Sequence, residues 1–526
     1  MVMNNIAKKS VIDLIKSMRS KKIRGVHLGA DVTHLTHDSR EVGQGCLFFA
    51  ISGGSSNGAM YAMNAISNGA VAVVTERKLC KKIPQIIVPC VREAMSIIAK
   101  EFYGNASDDL KIIGITGTNG KTTTTNMIAH ILLSNGVKVG TIGTLGAFVF
   151  EQCDAKSEQT TQGGHGGDSP IKLYENLTTP DPIELHEIFL KMKNAGVSVV
   201  VMECSAHAIH LKKLVGIKFK VGVFTNLSRD HLDFFPNYEH YAMTKVNWFD
   251  KTYMENIISN IDDIYGRVIP ATMRYGMEFI CTCESCSKKC GCKCHVTDVV
   301  AKNIVMTGTE SVFDLIIEGM IYSGVRLPSA GKFNIYNAIA AVGAVNSLCI
   351  GIGLGQIIAS VAVMPPVPGR FNTLDVDGVT VVIDYAHTPD SLQKIIETCN
   401  EIKGEGKLYS VFGCGGDRDK GKREQMGIIS GKMADFTVIT SDNPRSESPR
   451  AIMLQIEAGV KCVTDKFAAI ECRREAIHFA LGTATAGDIV LIAGKGAEEY
   501  QEIAGTKHAF NDSVIVNEYI AHAKTN

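Results

Sequence analysis

The sequence predicts an α/β fold of three domains, with a doubly wound parallel sheet in the middle one. Three observations carry this. Continuous β-branched runs such as VSVVVMECS and KVGVFTNLS lack the alternation of a half-exposed strand and suit a parallel sheet covered on both faces. Stretches of helical periodicity lie between these runs, the order that places helices on both faces of one sheet. The 526 residues also exceed what a single hydrophobic core supports, and their length fits three or four domains.

Residues 1–108 hold short apolar runs, CLFFAI and AVAVV, separated by Gly/Ser/Asn-rich turns, with helical patterns such as AMYAMNAISNG between them. This is a small α/β domain. The middle domain spans 109–364 and begins with the strand LKIIGITG. MPPVPGRF then places three prolines in a short stretch, which stiffens the chain and disfavours regular structure. Beyond it, over 365–526, VVIDYAHTPDSL, LYSVFGCGGD, DFTVITSDNP and DIVLIAGKG each end an apolar run in a polar or glycine-rich loop. That repetition is expected of a Rossmann-like sheet with ligand loops on its carboxyl edge.

Lys+Arg and Asp+Glu both number 54, so the formal charge is zero, and no basic block points to nucleic acid. The first 25 residues read as an ordinary helix, because lysines interrupt the apolar pattern that a signal peptide would need. No apolar run reaches the roughly 20 residues of a membrane span, so a cytoplasmic chain with no membrane partner is expected, acting as a monomer. Many of the 16 cysteines sit in strand-like settings as reduced, buried thiols.

GITGTNGKTTTT, at 114–125, joins the first middle-domain strand to a helical pattern that starts near Lys121. The strict phosphate-loop spacing would need glycine at Ile115. A glycine-rich turn before a helix start still suits an anion, and Lys121 and Thr122 are the residue types that reach β/γ-phosphates and Mg²⁺. The middle domain is therefore read as a P-loop-type doubly wound sheet.

GTNGKT resembles the variant phosphate loop of the Mur ligases, the ATP-dependent amide-bond ligases of cell-wall precursor synthesis. The resemblance continues through NLTTPDPIELH, MECSAHAIHLKKLVGIKF, VFTNLSRDHLDFF, YEHYAMTKVNWF, GKFNIYNAIAA, PGRF and DYAHTPDSL, in family order over nearly the whole chain. THDSREVGQGCLFFAISG is similar to the nucleotide-sugar domain of the tripeptide-synthetase subgroup. The resemblance implies ligation of meso-diaminopimelate to UDP-N-acetylmuramoyl-L-alanyl-D-glutamate through an acyl phosphate.

It also implies residue roles. Lys121, Glu203, His231 and Lys245 become the catalytic set, with Lys245 carboxylated, and Thr122, Glu203, His231 and Lys245 become magnesium ligands. ATP falls to Gly117, Thr118, Asn119, Gly120, Lys121, Thr122 and Thr123 of the loop, with Asn334, Asn337, Arg370, Asp384 and His387. The UDP-sugar dipeptide falls to Ser39, Thr178, Thr179, Ser205 and Lys213. Lys213 stands where the family has arginine and Leu211 where it commonly has glutamine; a lysine keeps the charge but loses the bidentate fork.

Diaminopimelate falls to Arg418, Asp442, Asn443, Pro444, Arg445, Gly494 and Glu498, because arginine pairs bidentately with the distal carboxylate that lysine lacks. Glu498 suits the distal ammonium. Ala497 replaces the histidine of the family's GKGHE. With Leu211 and Lys213, this leaves a paralogue adding L-lysine, or acting on another carboxylate, as the alternative.

CTCESCSKKCGCKCH, at 281–295, is an insertion that the resemblance does not explain. Its spacing offers Cys283, Cys286, Cys290 and Cys292 as a structural Zn²⁺ site, against a reduced cysteine-rich loop as the simpler alternative.

Overall fold

The computed structural model describes residues 8–53, 57–150, 170–175, 177–277 and 297–523. The polar segment at 151–176 lies almost wholly outside the described residues. So does the whole cysteine cluster, Cys283, Cys286, Cys290 and Cys292 included. The chain forms two compact units. One comprises Met1–Thr116, Gly136–Gly222 and Trp248–Asn256, the other Gly117–Asn135, Val223–Asn247 and Ile257–Asn526.

The first unit opens with a short helix, Val11–Ile15, capped by Ser10, whose hydroxyl accepts from the Asp13 N–H. It is much shorter than the expected N-terminal helix, and the chain turns into the strand Lys22–Arg24 soon after. Five strands follow the spatial order Lys22–Arg24, Gln85–Ile87, Ala70–Thr75, Cys46–Phe49 and His34–Thr36, parallel except for the first pair. Alternation sends Cys46 and Phe48 to one core cluster and Leu47 and Phe49 to the other, so both faces of this sheet are covered.

A second set of strands in this unit runs in the order Ile171–Tyr174, Gly146–Phe150, Val139–Gly143, Val199–Glu203 and Lys111–Thr116. Val199–Glu203 is parallel to both neighbours and buried along its whole length, as its unbroken apolar sequence requires.

In the second unit, Met273–Gly276, Val299–Met306, Ser311–Ile317 and Met320–Leu327 lie side by side, the last three joined antiparallel. The helix Lys332–Asn346 is buried on nearly every side and packs against the helix Lys121–Ser134. Residues 364–371 form neither helix nor strand, as their prolines predict.

The C-terminal sheet has the order Asn372–Val376, Val379–Asp384, Ile489–Ala493, Leu408–Phe412, Phe436–Ile439 and Phe467–Ala469, parallel after the first pair. The last strand in sequence is thus inserted between two earlier ones, so the four ligand-type loops leave neighbouring carboxyl ends. A fully buried ion pair secures this edge: Arg473 Nε and Nη2 each lie 2.8 Å from the Asp512 carboxylate, and Nη2 also donates to the Ala493 carbonyl at 3.0 Å. Among the described residues no helix is long and apolar enough to cross a membrane.

His186, on the helix Pro182–Asn194, is buried to 1% exposure with its ring 5.7 Å from Phe189 and no partner at Nε2 among the described residues. Burial, assisted by Lys100, pushes its pKa down from 6.5 to about 3. The unfolded chain therefore binds the proton first. Its contribution to stability is intact above pH 6.5 and falls by about 1.4 kcal/mol per pH unit towards pH 3. Chemical denaturation of His186→Leu between pH 7 and 4 should show a shallower loss of stability than the parent; parallel slopes would refute this.

Candidate active site

The loop Gly117–Gly120 joins the strand Lys111–Thr116 to the helix Lys121–Ser134. Its two glycines are required by space as well as by backbone angle. Gly117 has φ +152°, and a Cβ there would lie 1.9 Å from Thr225 Oγ1; Gly120 has φ +85°, and its Cβ would lie 2.4 Å from Asn337 Oδ1. The segment after the strand Phe219–Phe224 holds the loop open. Thr118 N donates to the Asn226 carbonyl at 2.8 Å, Asn119 N to Asn226 Oδ1 at 3.0 Å, and Thr225 Oγ1 to the Asn119 carbonyl at 2.6 Å. Lys121 curls back to donate to the carbonyls of Gly117 and Thr118, at 3.0 and 2.9 Å.

The Thr118 hydroxyl is shared. It accepts from Ser228 N at 3.0 Å, donates to the Ser228 carbonyl at 3.2 Å, and lies 2.9 Å from the hydroxyl of Tyr241. The same Tyr241 hydroxyl accepts from Lys245 Nζ, which is 2% exposed and 4.2 Å from the tyrosine ring centre. Burial, reinforced by the Lys121 charge, pushes the Lys245 amine well below its ordinary range, against the pull of Asp230 and Asp263. His231 adopts φ +56°, with Nε2 3.4 Å from Asp230. Burial tends to raise the Asp230 pKa, but His231, His387 and Lys422 outweigh it and hold the carboxyl at about 2.

Residues of the C-terminal domain reach this loop. Arg370 Nη2 donates to Thr122 Oγ1 at 3.2 Å and its guanidinium lies 4.4 Å from the Tyr385 ring centre. Asn119 Nδ2 donates to Asp390 at 2.9 Å. Asp384 takes the N–H groups of Phe371 and Ala386, both at 2.7 Å; burial raises its pKa against the Arg370 charge. Burial and Lys422 lower that of His387 to about 4, so the ring is neutral at pH 7. Asn337 accepts from Thr124 at 3.3 Å, whereas Asn334 turns to Ser329 and the Ala330 carbonyl, at 2.7 and 2.8 Å.

In the first unit, Glu203 ends its strand at 1% exposure and takes the N–H and hydroxyl of Thr144 at 2.8 and 3.1 Å. Thr178, Thr179, Ser205 and Lys213 join the same network. Thr144 Oγ1 lies 3.2 Å from Thr178 Oγ1, Thr179 donates to Ser205 Oγ and to the Glu203 carbonyl at 3.2 and 2.9 Å, and Lys213 pairs with Asp181 at 2.8 Å. Ser39 makes none of these contacts; it sits half-buried in the turn after His34–Thr36.

The remaining residues occupy the C-terminal loops. Gly494 has φ +118°, and a Cβ there would lie 2.6 Å from Asp442 Oδ2. Asn443 donates to Glu498 at 2.9 Å and accepts from buried Lys495 at 3.1 Å, while Lys495 also pairs with Glu498 at 2.8 Å. Pro444 backs the GCGG turn, since a Cβ on Gly416 would lie 1.9 Å from its carbonyl oxygen. Arg418 is exposed, and Arg445 donates to the Gly416 carbonyl at 2.8 Å. Fully buried Arg423 ties both loops together, bidentate to Glu447 at 2.9 Å and donating to the Gly415 carbonyl at 3.2 Å.

Sequence reasoning missed Thr144, Thr225, Asn226, Tyr241, Asp390, Arg423, Glu447 and Lys495. Thr225, Asn226, Tyr241, Asp390 and Lys495 lie inside motifs quoted above, but nothing in those motifs marks the partner that each one reaches.

Residues 31–103, 115–345 and 369–496 match three Mur ligase domains: the family's catalytic domain, its middle domain and its glutamate ligase domain. The UDP-N-acetylmuramoyl-L-alanyl-D-glutamate--2,6-diaminopimelate ligase of Alkaliphilus metalliredigens is 38% identical over 512 residues, covering 97% of each chain. One from Clostridium acetobutylicum is 39% identical over 507 residues, covering 94% of this chain and 95% of its own. A solved structure of an enzyme of that name, 28% identical, superposes with a TM-score of 0.65 over 98% of this chain and 99% of its own.

The packing of Gly117 gives a direct test of the loop. Gly117→Ala should weaken ADP binding by about tenfold or more in calorimetry, with the far-ultraviolet dichroism unchanged. Parent-like affinity would sink the assignment of this turn to phosphate.

Proposed function

Because this chain belongs to the Mur ligase family, we propose that it joins meso-diaminopimelate to UDP-N-acetylmuramoyl-L-alanyl-D-glutamate at the expense of ATP, in the cytoplasm, as a step of peptidoglycan precursor synthesis. The carboxylate of the nucleotide dipeptide takes the γ-phosphoryl group and becomes an acyl phosphate. The amine of diaminopimelate attacks the acyl carbon, phosphate departs, and the amine proton is lost to solvent or to a carboxylate that we leave unassigned.

The observation that carries this reading is the contact of Arg370 and Asp390 with the phosphate loop at Thr122 and Asn119. It gives the nucleotide loop and the amino-acid-binding domain a common boundary, as ligation of a phosphorylated acid requires. Lys121 screens the phosphates once it releases the loop carbonyls. Arg370, stacked on Tyr385, adds a second fixed cation.

Magnesium, a hard cation, suits the kinds of donor that the family resemblance assigns to it: the Thr122 hydroxyl, the Glu203 carboxylate, the His231 ring and a carboxylated Lys245. The ion would neutralise charge that builds as two anions meet. Lys245 suits carboxylation for a reason of its own, because only a neutral amine adds to carbon dioxide and burial favours that form. Glu498, set by Lys495 and Asn443, serves as the anionic handle for the distal ammonium of diaminopimelate, and the arginines at 418 and 445 as cationic handles for its carboxylate.

Phosphate release with ATP, the nucleotide dipeptide and a panel of amino acids tests the substrate. Release with meso-diaminopimelate and not with L-lysine is expected, and the reverse pattern would establish a lysine-adding paralogue instead. Incubation with isotopically labelled bicarbonate should give a carbamate resonance that Lys245→Ala lacks. A resonance that persists in the variant would remove the modification from this residue.

A further inference from the structure

Two arginines converge over one glycine in the C-terminal domain. A Cβ built on Gly415 would lie 3.0 Å from Arg445 Nη1 and 3.8 Å from Arg418 Cγ. Arg445 has φ +51°, so its backbone needs support from outside its own segment. The strand Tyr500–Ile503 supplies that support: Arg445 N donates to the Glu502 carbonyl at 3.0 Å, and Ala504 N to the Arg445 carbonyl at 2.8 Å. This stitching brings the Glu502 side chain to Arg445, with Oε2 3.2 Å from Nε.

A guanidinium can meet a carboxylate through its Nε/Nη2 side or its Nη1/Nη2 end. Here Nε faces Glu502 and Nη1 donates to the Gly416 carbonyl at 2.8 Å, while Nη2 has no hydrogen-bond partner among the described residues. The side-on approach is closed by Glu502, and the edge left for a ligand is the one that carries Nη2. Glu498 is fixed in turn by Lys495 and Asn443, at 2.8 and 2.9 Å.

We propose that Glu502 is a positioning residue for specificity: by holding Arg445 through Nε, it fixes the angle at which the guanidinium meets the distal carboxylate and so selects the configuration of the distal carbon. The proposal rests on the reading that Arg445 and Glu498 receive the distal end of diaminopimelate. The meso and LL isomers carry the same charges and differ only in the configuration of that carbon. An anion handle and a cation handle held in fixed relation, with the substrate chain as the third point, distinguish the two; a swivelling guanidinium follows either. Glu502 touches no reacting atom and acts through Arg445 alone.

The test compares full-length Glu502→Ala and Glu502→Gln with the parent, measuring kcat and KM for meso- and LL-diaminopimelate and KM for ATP. Glu502→Ala should raise KM for the meso isomer about tenfold and reduce the meso-to-LL ratio of kcat/KM, with KM for ATP unchanged. Glu502→Gln, whose amide oxygen can still face Nε, should keep most of the preference. An unchanged isomer ratio in Glu502→Ala overturns the proposal, and so does a lower KM for the meso isomer, which would make Glu502 a competitor for Arg445. Arg445→Ala separates the two claims. If that variant keeps the meso preference, the assignment of the distal end falls; if it loses the preference while Glu502→Ala retains it, only the role of Glu502 falls.

Discussion

The loop Gly117–Gly120 is held in shape by side chains and backbone from distant segments, and the Thr118 hydroxyl is where most of those segments meet. Three groups meet it: the N–H and the carbonyl of Ser228, and the hydroxyl of Tyr241. Ser228 begins the turn that carries Asp230 and His231, and Tyr241 reaches Lys245 four residues along its helix. The phosphate loop, the His231 turn and Lys245 therefore share one hydrogen-bonded junction. Gly117 completes it by packing too closely against Thr225 to tolerate a side chain.

That junction explains the charge states around it. Burial does most of the work of lowering Lys245, and the nearby Lys121 charge adds to it. His387 is held neutral by burial and Lys422, whereas Asp230 stays ionised against its burial because His231 and Lys422 lie beside it. The same packing that shapes the loop thus leaves an anionic Asp230 beside amine and imidazole groups biased towards their neutral forms. An anionic ligand at the loop would shift this balance towards the cationic side chains, since it favours every cation within reach.

What the sequence made legible follows from the range of each interaction. Parallel strands announce themselves as unbroken apolar runs, and the four C-terminal runs that end in polar loops do become adjacent strand ends. GTNGKT and DNPR were legible because backbone geometry and charge are encoded within a few residues. The supports were not: Thr225 and Asn226 act on the loop from more than a hundred residues away, Asp390 from farther still, and Arg423 looks like any helix arginine until Glu447 folds onto it. The isolated position of Ser39 was equally hidden, since a turn serine carries no sign of what it faces. The short first helix has a different cause, because apolar spacing marks Val11, Leu14 and Ile15 for burial but says nothing of where the chain leaves the core.

Ala497, where the family has histidine, shows how a motif position can be replaced without loss of its loop. The turn Gly494–Glu498 is held by backbone and by neighbours: Glu498 N donates to the Lys495 carbonyl at 3.0 Å, Gly496 adopts φ +54°, and Lys495 clamps Glu498 and Asn443 from a fully buried position. Gly369, next to Arg370, closes the other side so tightly that a Cβ there would lie 2.1 Å from Ala497 N. A side chain at 497 is therefore not needed to shape the turn, because the glycine contact fixes its backbone and the lysine fixes its charge. The constraint lies at Gly369, whose close approach ties the 494–498 turn to the segment that carries Arg370. Any substitution that pushes these two backbones apart would disturb Thr122 through Arg370 and the 442–445 loop through Lys495 together.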